Sequence, residues 1–412
     1  MLNWSSQFGI CCFLDNNNYA SIYHQNEAIL AADALDSLSC QAGNAFSSLL
    51  QYHQTHKDWL FGHLAYDLKN ETFPGLSSHN KDGIGFPDLF FFRPRIILLL
   101  STYEVRIGGW EMDENAARDI FAQCAAMSPH DLQHTQKGTI QSPLDKQQYI
   151  DAVKGLQDHI HRGDCYEVNF CRENFIEDII LDPLSLFQRL NSVSPSPFAA
   201  YYRTNDLYMA CSSPERFMQK HGEVVISQPI KGTIRRADDP VADEERRIEL
   251  QQNKKERAEN VMVVDLVRND LSHTATRGSV EVTELFGIYS FAQVHHMIST
   301  VKAIPAPGVP FTKVISQAYP MGSMTGAPKL SVLQLIEQYE RSRRGLFSGA
   351  LGYITPDGDF DFNVVIRSML YNAARKYLSF TTGSAITYYA DPVKEWEECL
   401  LKAEAMKKIL EG

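Results

Sequence analysis

Between Leu144 and Arg162 apolar side chains return every three or four positions, at Tyr149, Val153, Leu156 and Ile160. That period places them on one stripe of a helix and leaves the charged residues between them to solvent. The pattern then changes. Tyr166–Phe170, Ala199–Tyr202, Leu207–Ser212 and Glu223–Ser227 are short apolar and aromatic runs bounded by turn residues, and they predict strands. Ile96–Ser101 and Tyr103–Ile107 read the same way nearer the N-terminus, with helix-like stretches between strands. One long charged helix is expected over Ala242–Asn260. The last part alternates strand-like Gly349–Ile354 and Leu378–Thr382 with a helix over Pro392–Leu410. Strands mixed with long helices, without regular βαβ spacing, predict an α+β fold with largely antiparallel sheets. Ser128–Ser142 is polar and turn-rich, so it reads as a linker between an N-terminal region, 1–140, and a second region, 145–410.

Composition narrows the function classes. The chain has 412 residues, 44% hydrophobic and 22% charged, with 39 Lys and Arg against 50 Asp and Glu and a net charge of −11. An acidic chain of this kind is a poor partner for nucleic acid or an anionic membrane surface. The most apolar segment, Phe90–Leu100, is interrupted by Arg93 and Arg95, so no transmembrane helix is expected. The N-terminus lacks a secretory signal pattern. The 8 cysteines are scattered without a CxxC pair, which suits reduced thiols in a cytoplasmic protein better than a disulfide framework or a zinc site.

Two segments carry paired carboxylates. In KKERAEN (254–260), Glu256 and Glu259 share a helix face. Taken alone they read as part of a solvated charged helix. In DPVKEWEECLLK (391–402), Asp391 is a natural N-cap and Pro392 a natural first helical residue. Glu395, Glu398 and Lys402 then fall within roughly 60° of one another, beside an apolar stripe of Trp396, Leu400, Ala403 and Leu410. Glutamates at the edge of a core need a compensating cation, although an array of surface ion pairs is the plain alternative. If both helices converge, their oxygen-only ligands select magnesium or calcium over zinc. Magnesium takes one or two carboxylates directly and keeps waters.

Lys231 lies in SQPIKGTIRR (227–236), in a turn flanked by apolar residues. Burial there lowers an amine's pKa from about 10.4 and makes it a usable nucleophile or base; an ordinary surface lysine is the alternative. GSMTGAPK (322–329) has the wrong spacing for a nucleotide phosphate loop, though its turn can present backbone N–H groups to a carboxylate. His295 and His296 follow an apolar run and read first as satisfied core or edge histidines. The chain contains no G-x-G-x-x-G, HExxH or G-x-S-x-G.

Taken together, SSPERF (212–217), PIKGT (229–233), ERAENVMVVDLVRNDL (256–271), VHHMIST (294–300), GSMTGAPK (322–329), GALGYI (349–354), VIRS (365–368) and DPVKEWEECLLKA (391–403) occur in one order. That order resembles the chorismate-utilising enzymes: anthranilate synthase component I, aminodeoxychorismate synthase component I, and the isochorismate and salicylate synthases. The likeness spans about Asp145 to Leu410, and FGHLAYDLKNE (61–71) resembles a Gly-rich element of the same family. It implies a large two-sheet antiparallel β sandwich flanked by helices, with the N-terminal part interwoven. It also implies a magnesium ion that grips the ring carboxylate of chorismate. By the same resemblance Glu259 and Glu398 match direct magnesium ligands, and Glu256 and Glu395 match the glutamates that hold its waters. Arg367, Lys402 and the backbone of Gly383, Ser384 and Ala385 match the clamp on the enolpyruvyl carboxylate. Thr325 and Gly326 match pocket residues, and His296 the histidine near the ring. Glu215 matches the general acid for the departing C4 hydroxyl.

Lys231 directs the choice within the family. PIKGT is similar to aminodeoxychorismate synthases, where anthranilate synthases resemble PIAGT. The implied reaction is lysine addition at C2, then attack of ammonia at C4, giving 4-amino-4-deoxychorismate for 4-aminobenzoate and folate. Ammonia is expected from a partner glutamine amidotransferase, since no glutaminase nucleophile motif is seen. Pyruvate release is expected from a separate aminodeoxychorismate lyase, since no lyase extension is visible. Two residues depart from the family: Phe347 stands where anthranilate synthases have tyrosine, and Glu167 where glutamine is usual. Anthranilate synthase component I, a water-using isochorismate or salicylate synthase, and an inactive binding or scaffold subunit are the other readings.

Overall fold

A computed structural model describes residues 1–19, 23–24, 26–128, 130–133 and 138–411. Among them, 18 strands join in one hydrogen-bonded network whose strand pairings are all antiparallel. The network is a long ribbon with its middle at strand Ile10–Asp15, which pairs with Ala28–Cys40 on one side and Phe198–Thr204 on the other. One arm runs from Phe198–Thr204 through Leu207–Ser213, Ser368–Asn372 and Tyr377–Ile386 to Glu167–Ile176 and the short Gly326–Ala327. The other runs from Ala28–Cys40 through Leu89–Leu100, Leu60–Leu64, Ala350–Ile354, Phe360–Val364, Arg216–His221 and Val224–Gln228 to Val294–Ala303. Ile230–Arg235 and Glu281–Ser290 finish that end.

The arms pack face to face. Phe61, Phe91, Phe362 and Met218 from one meet Tyr202, Met209, Cys211 and Leu370 from the other in one apolar core. Each such side chain contributes about 1.5–3 kcal/mol on burial. Polar groups that cross the interior are matched: His63 Nδ1 lies 3.0 Å from the Tyr202 hydroxyl, and Asn363 Nδ2 donates to the Phe198 carbonyl at 3.2 Å. This is the expected antiparallel sandwich, closed along the Ile10–Asp15 strand. Of the stretch Ser128–Ser142, positions 129 and 134–137 lie outside the described residues.

Helices cover the outer faces. Lys146–Arg162 buries Tyr149, Val153, Leu156 and Ile160, the residues its period selects. Its start is fixed by Asp145, whose carboxylate accepts from Gln148 N while the Gln148 side chain accepts from Asp145 N. Pro392–Glu411 lies beside it, with Trp396 and Cys399 in the same outer core. The charged segment expected as one helix is two, Pro240–Gln252 and Lys254–Ser272. Asn253 breaks it: its backbone is extended, and its side chain accepts from Lys255 N and Glu256 N, capping a new helix. Among the described residues no helix is long and apolar enough to cross a membrane.

Two of these helices mark the ends of the ribbon. Lys254–Ser272 packs on Ile230–Arg235 and Val294–Ala303, at one end. Pro392–Glu411 packs on Tyr377–Ile386, next to the other. The two ends meet.

Candidate active site

The meeting point is marked by an ion pair: Lys231 Nζ lies 2.5 Å from Glu167 Oε1, joining the strands at opposite ends of the ribbon. Both side chains are buried, at 12% and 4% exposure. Lys231 sits where strand Ile230–Arg235 bulges against Val294–Ala303. Gly232 makes the bulge possible, with a φ of +100° and Glu256 Oε2 only 3.1 Å from where a Cβ would stand. Asn260, one turn beyond Glu256 on its helix, donates to the Lys231 carbonyl at 3.3 Å and accepts from Ser299 at 2.6 Å.

Glu256, Glu259 and Glu398 of the two helices lie within the field of this lysine, and Glu395 stands beside Glu398. Burial pushes the Glu259 carboxyl up to about 7, against the pull of Lys231 and with Glu167 adding to the rise. Glu256 and Glu395 are also raised, first by burial; Glu256 feels the charge of Glu398 on the other helix, and Glu395 that of Lys255 on the opposite one as well as of its own neighbour Glu398. Glu398 behaves differently: burial alone would raise it, but Lys402, 2.7 Å away, holds it below the ordinary range. Helices far apart in sequence therefore converge, as their spacing alone could not show.

For Lys231 the expectation of a lowered pKa is corrected. Burial does pull the amine down, but Glu167, Glu259 and Glu398 outweigh it and the pKa is raised. The lysine rests as an ammonium.

Glu215 is 4% exposed, and burial raises its carboxyl to about 7, with Ser323, the Ile230 N–H and Lys231 opposing. It is thus poised to hold a proton near neutral pH and release it. His296 is buried beneath Thr233, whose hydroxyl lies 2.8 Å from its Nδ1, and burial with the nearby Arg367 lowers it to about 3. It is a neutral imidazole. His295 is satisfied by Asp243 and Ser290 at the sheet surface.

Arg367, at φ +50°, has no side-chain hydrogen bond among the described residues, and burial lowers its pKa despite the distant Glu398. A guanidinium in that condition is short of an anion. Lys402 donates to the Gly383 carbonyl at 2.8 Å, and Ser384 hydrogen-bonds Tyr149 at 2.9 Å and Glu395. Ala385 follows on the same strand, opposite Asn169. Thr325 is fully buried, its hydroxyl closing its own turn onto Met321 and Gly322. Gly326 has φ +143°, and a Cβ there would stand 2.0 Å from the Glu167 carbonyl, so only glycine lets the turn lie against that strand. Phe347 packs within the interior core, making no polar contact with the cluster.

Two features of the site escape sequence reasoning. Glu167 shows only as an unusual residue, and nothing in its neighbourhood names Lys231 as its partner. Arg344 is the second. It binds Glu340 with two nitrogens at 3.0 and 2.6 Å and caps the Met324 and Asn169 carbonyls at 2.7 and 2.8 Å, holding the pocket turn against the strand of Glu167.

The donor set suits a hard cation. Among the described residues no three His, Cys, Asp or Glu side chains already stand together as a cage. Yet Glu256, Glu259 and Glu395 are carboxylates raised first by burial and then by neighbouring carboxylates, Glu398 for Glu256 and Glu395, and Glu167 and Glu256 for Glu259, partly countered by lysines at 255, 231 and 402. Magnesium, which takes few carboxylates and keeps waters, fits such an open arrangement better than zinc.

Comparison with known proteins accords with this geometry. A family model described as chorismate binding enzyme matches residues 9–408. Anthranilate synthase component 1 of Thermus thermophilus is 31% identical over 358 residues, 85% of this chain and 77% of that protein. Aminodeoxychorismate synthase component 1 of Escherichia coli is 31% identical over 352 residues, 85% and 76% of the two chains. The crystal structure of anthranilate synthase component I from Streptococcus pneumoniae superposes with a TM-score of 0.82 at 22% identity, covering 94% of this chain and 93% of that one. Relatives of the two activities are equally similar.

Proposed function

This chain belongs to the chorismate-binding enzymes, and on that premise we propose that it is the aminodeoxychorismate synthase member, converting chorismate and ammonia to 4-amino-4-deoxychorismate. The observation that carries the choice is Lys231: an amine at the seam of the two sheet ends, within the field of Glu259 and Glu398 and beside the protonatable Glu215. An anthranilate synthase needs no nucleophile there.

In this reading Arg367 and Lys402, with the Gly383–Ala385 backbone, bind the enolpyruvyl carboxylate, and Thr325, Gly326 and Phe347 shape the pocket. Glu259 and Glu398, with Glu256 and Glu395 beside them, would hold a magnesium ion, which would supply the positive charge that lets an acidic pocket accept a dianion. Glu215 donates its proton to the C4 oxygen, because hydroxide is a poor leaving group. Lys231 adds at C2 as that bond breaks. Ammonia, delivered by a partner glutamine amidotransferase, then attacks C4 and expels the lysine. Neutral His296 lies near the ring as a hydrogen-bonding partner. A separate lyase would remove pyruvate from the product.

The test is product identity. The purified chain is incubated with chorismate, magnesium and ammonium, with and without an added aminodeoxychorismate lyase. Lyase-dependent 4-aminobenzoate is the expected result. Direct 2-aminobenzoate makes the chain an anthranilate synthase, isochorismate or salicylate makes it a water-using enzyme, and no turnover leaves a scaffold subunit.

A further inference from the structure

A lysine ion-paired to a buried carboxylate at 2.5 Å has no free lone pair, so before Lys231 can attack carbon a neighbour must take its proton. Glu215 cannot serve, because in the reaction it must arrive protonated and give its own proton to the leaving oxygen. Among the described residues Glu167 is the only carboxylate within ion-pair distance of the amine, at 2.5 Å. Its second oxygen, Oε2, is buried and has no hydrogen-bond partner. A buried acceptor left open leaves this carboxylate an oxygen free to take a proton.

The backbone around Glu167 is held unusually firmly. Residues 167 and 168 pair with Ala327 and Gly326, Tyr166 N donates to the Ala327 carbonyl at 2.7 Å, and Asn169 N donates to the Thr325 carbonyl at 2.7 Å. The Asn169 side chain donates to Ser323 O at 2.9 Å, tying Glu167 to the turn whose Ser323 side chain bonds Glu215. The nucleophile's partner and the acid are thus aligned by one rigid unit.

We propose that Glu167 positions the Lys231 amine and accepts its proton as the nitrogen attacks. This rests on the reading of Lys231 as the nucleophile. Nζ–H breaks and Glu167 becomes a carboxylic acid. The freed lone pair forms the N–C2 bond, both ring double bonds shift (C1=C2 to C1=C6 and C5=C6 to C4=C5), and the C4–O bond breaks, with the oxygen leaving as water on the proton of Glu215. When ammonia forms the C4–N bond, both double bonds shift back and the N–C2 bond breaks, so Lys231 departs as a neutral amine. Glu167 returns the proton to it, and the new C4 ammonium returns one to Glu215. Every group is restored, and the net change is ammonia in and water out.

The test uses the full chain with chorismate, magnesium and ammonium, following steady-state rate and the mass of the acid-quenched protein. Glu167→Gln keeps the shape and removes the proton acceptor. Its kcat should fall at least 30-fold, with KM for chorismate within threefold of wild type, and the Lys231-bound adduct should appear correspondingly slowly. Glu167→Asp, which retains a carboxylate, should recover part of the lost kcat. A Glu167→Gln kcat within threefold of wild type, or a loss that resides in KM, overturns the proposal. Should the Gln variant not fold, Glu167→Asp decides alone: slowed adduct formation supports the proposal and a wild-type rate overturns it. Lys231→Ala separates the two layers. If that variant still aminates at the wild-type rate, the lysine reading itself fails. If it is inactive while Glu167→Gln is not, only the role of Glu167 fails.

Discussion

Arg344 is buried and Arg367 half-buried, and they could hardly be treated more differently. Arg344 is matched on every side: Nε and Nη2 on Glu340, Nη2 also on the Asn169 carbonyl, Nη1 on the Met324 carbonyl, and Cζ 4.5 Å from the centre of the Tyr66 ring. Its pKa is driven well above the ordinary value. Arg367 has no such partner among the described residues, and its pKa moves the other way. A buried charge whose donors are all satisfied is architecture. One with no side-chain hydrogen bond, in a cluster of carboxylates and lysines, is the candidate for binding an anion from outside.

That contrast can be broken by experiment. Stripping divalent ions with EDTA should reduce chorismate turnover to background while leaving the unfolding midpoint nearly unchanged, because the paired network around Arg344 needs no added ion; turnover surviving excess chelator would remove the cation from the site. Arg367→Ala should cost about 10²–10³-fold in kcat/KM for chorismate, the usual consequence of losing a buried charge-assisted contact, without lowering thermal stability. A variant with normal kcat/KM would mean that Arg367 is not the anion's partner. Arg344→Ala should act first on stability, costing about 3–5 kcal/mol of unfolding free energy by stranding Glu340, read from denaturant titration. On the rate side, kcat should decline about tenfold per pH unit as pH rises through about 7, since the raised Glu215 carboxyl loses its proton there. Glu215→Gln should be slow and lack that decline; a wild-type rate that stays flat to pH 9 would count against Glu215 as the acid. Least of all, Lys255→Ala should change kcat/KM by less than about threefold, because its 3.7 Å contact with Glu259 is made by a side chain 65% exposed.

The sequence made the periodic elements readable. Tyr149, Val153, Leu156 and Ile160 lie on one helix stripe because burial selects that spacing, and Asp391 caps the last helix because its carboxylate meets Val393 N at 2.9 Å. The break at Asn253 stayed hidden because strong helix formers flank it on both sides, and a capping asparagine looks like any other polar residue. The Lys231 pKa was read with the wrong sign for a related reason. Burial is a local property that apolar neighbours betray. The carboxylates that reverse its effect come from Glu167, Glu259 and Glu398, contributed by other elements. Long-range charge has no signature in a window of ten residues.

The ribbon of strands has its middle in residues 10–15 and its two ends at the pocket, with Glu395 and Glu398 supplied by the final helix. A nascent chain therefore carries its central strand first and must leave one side of it unpaired until residues 198–204 emerge from the ribosome. Chemistry waits longer still, for residues 392–411. Contacts this distant in sequence make for slow assembly with sticky edges exposed on the way. A copy that stops short of residue 392 would lack Glu395, Glu398 and Lys402, and with them one whole wall of the proposed site.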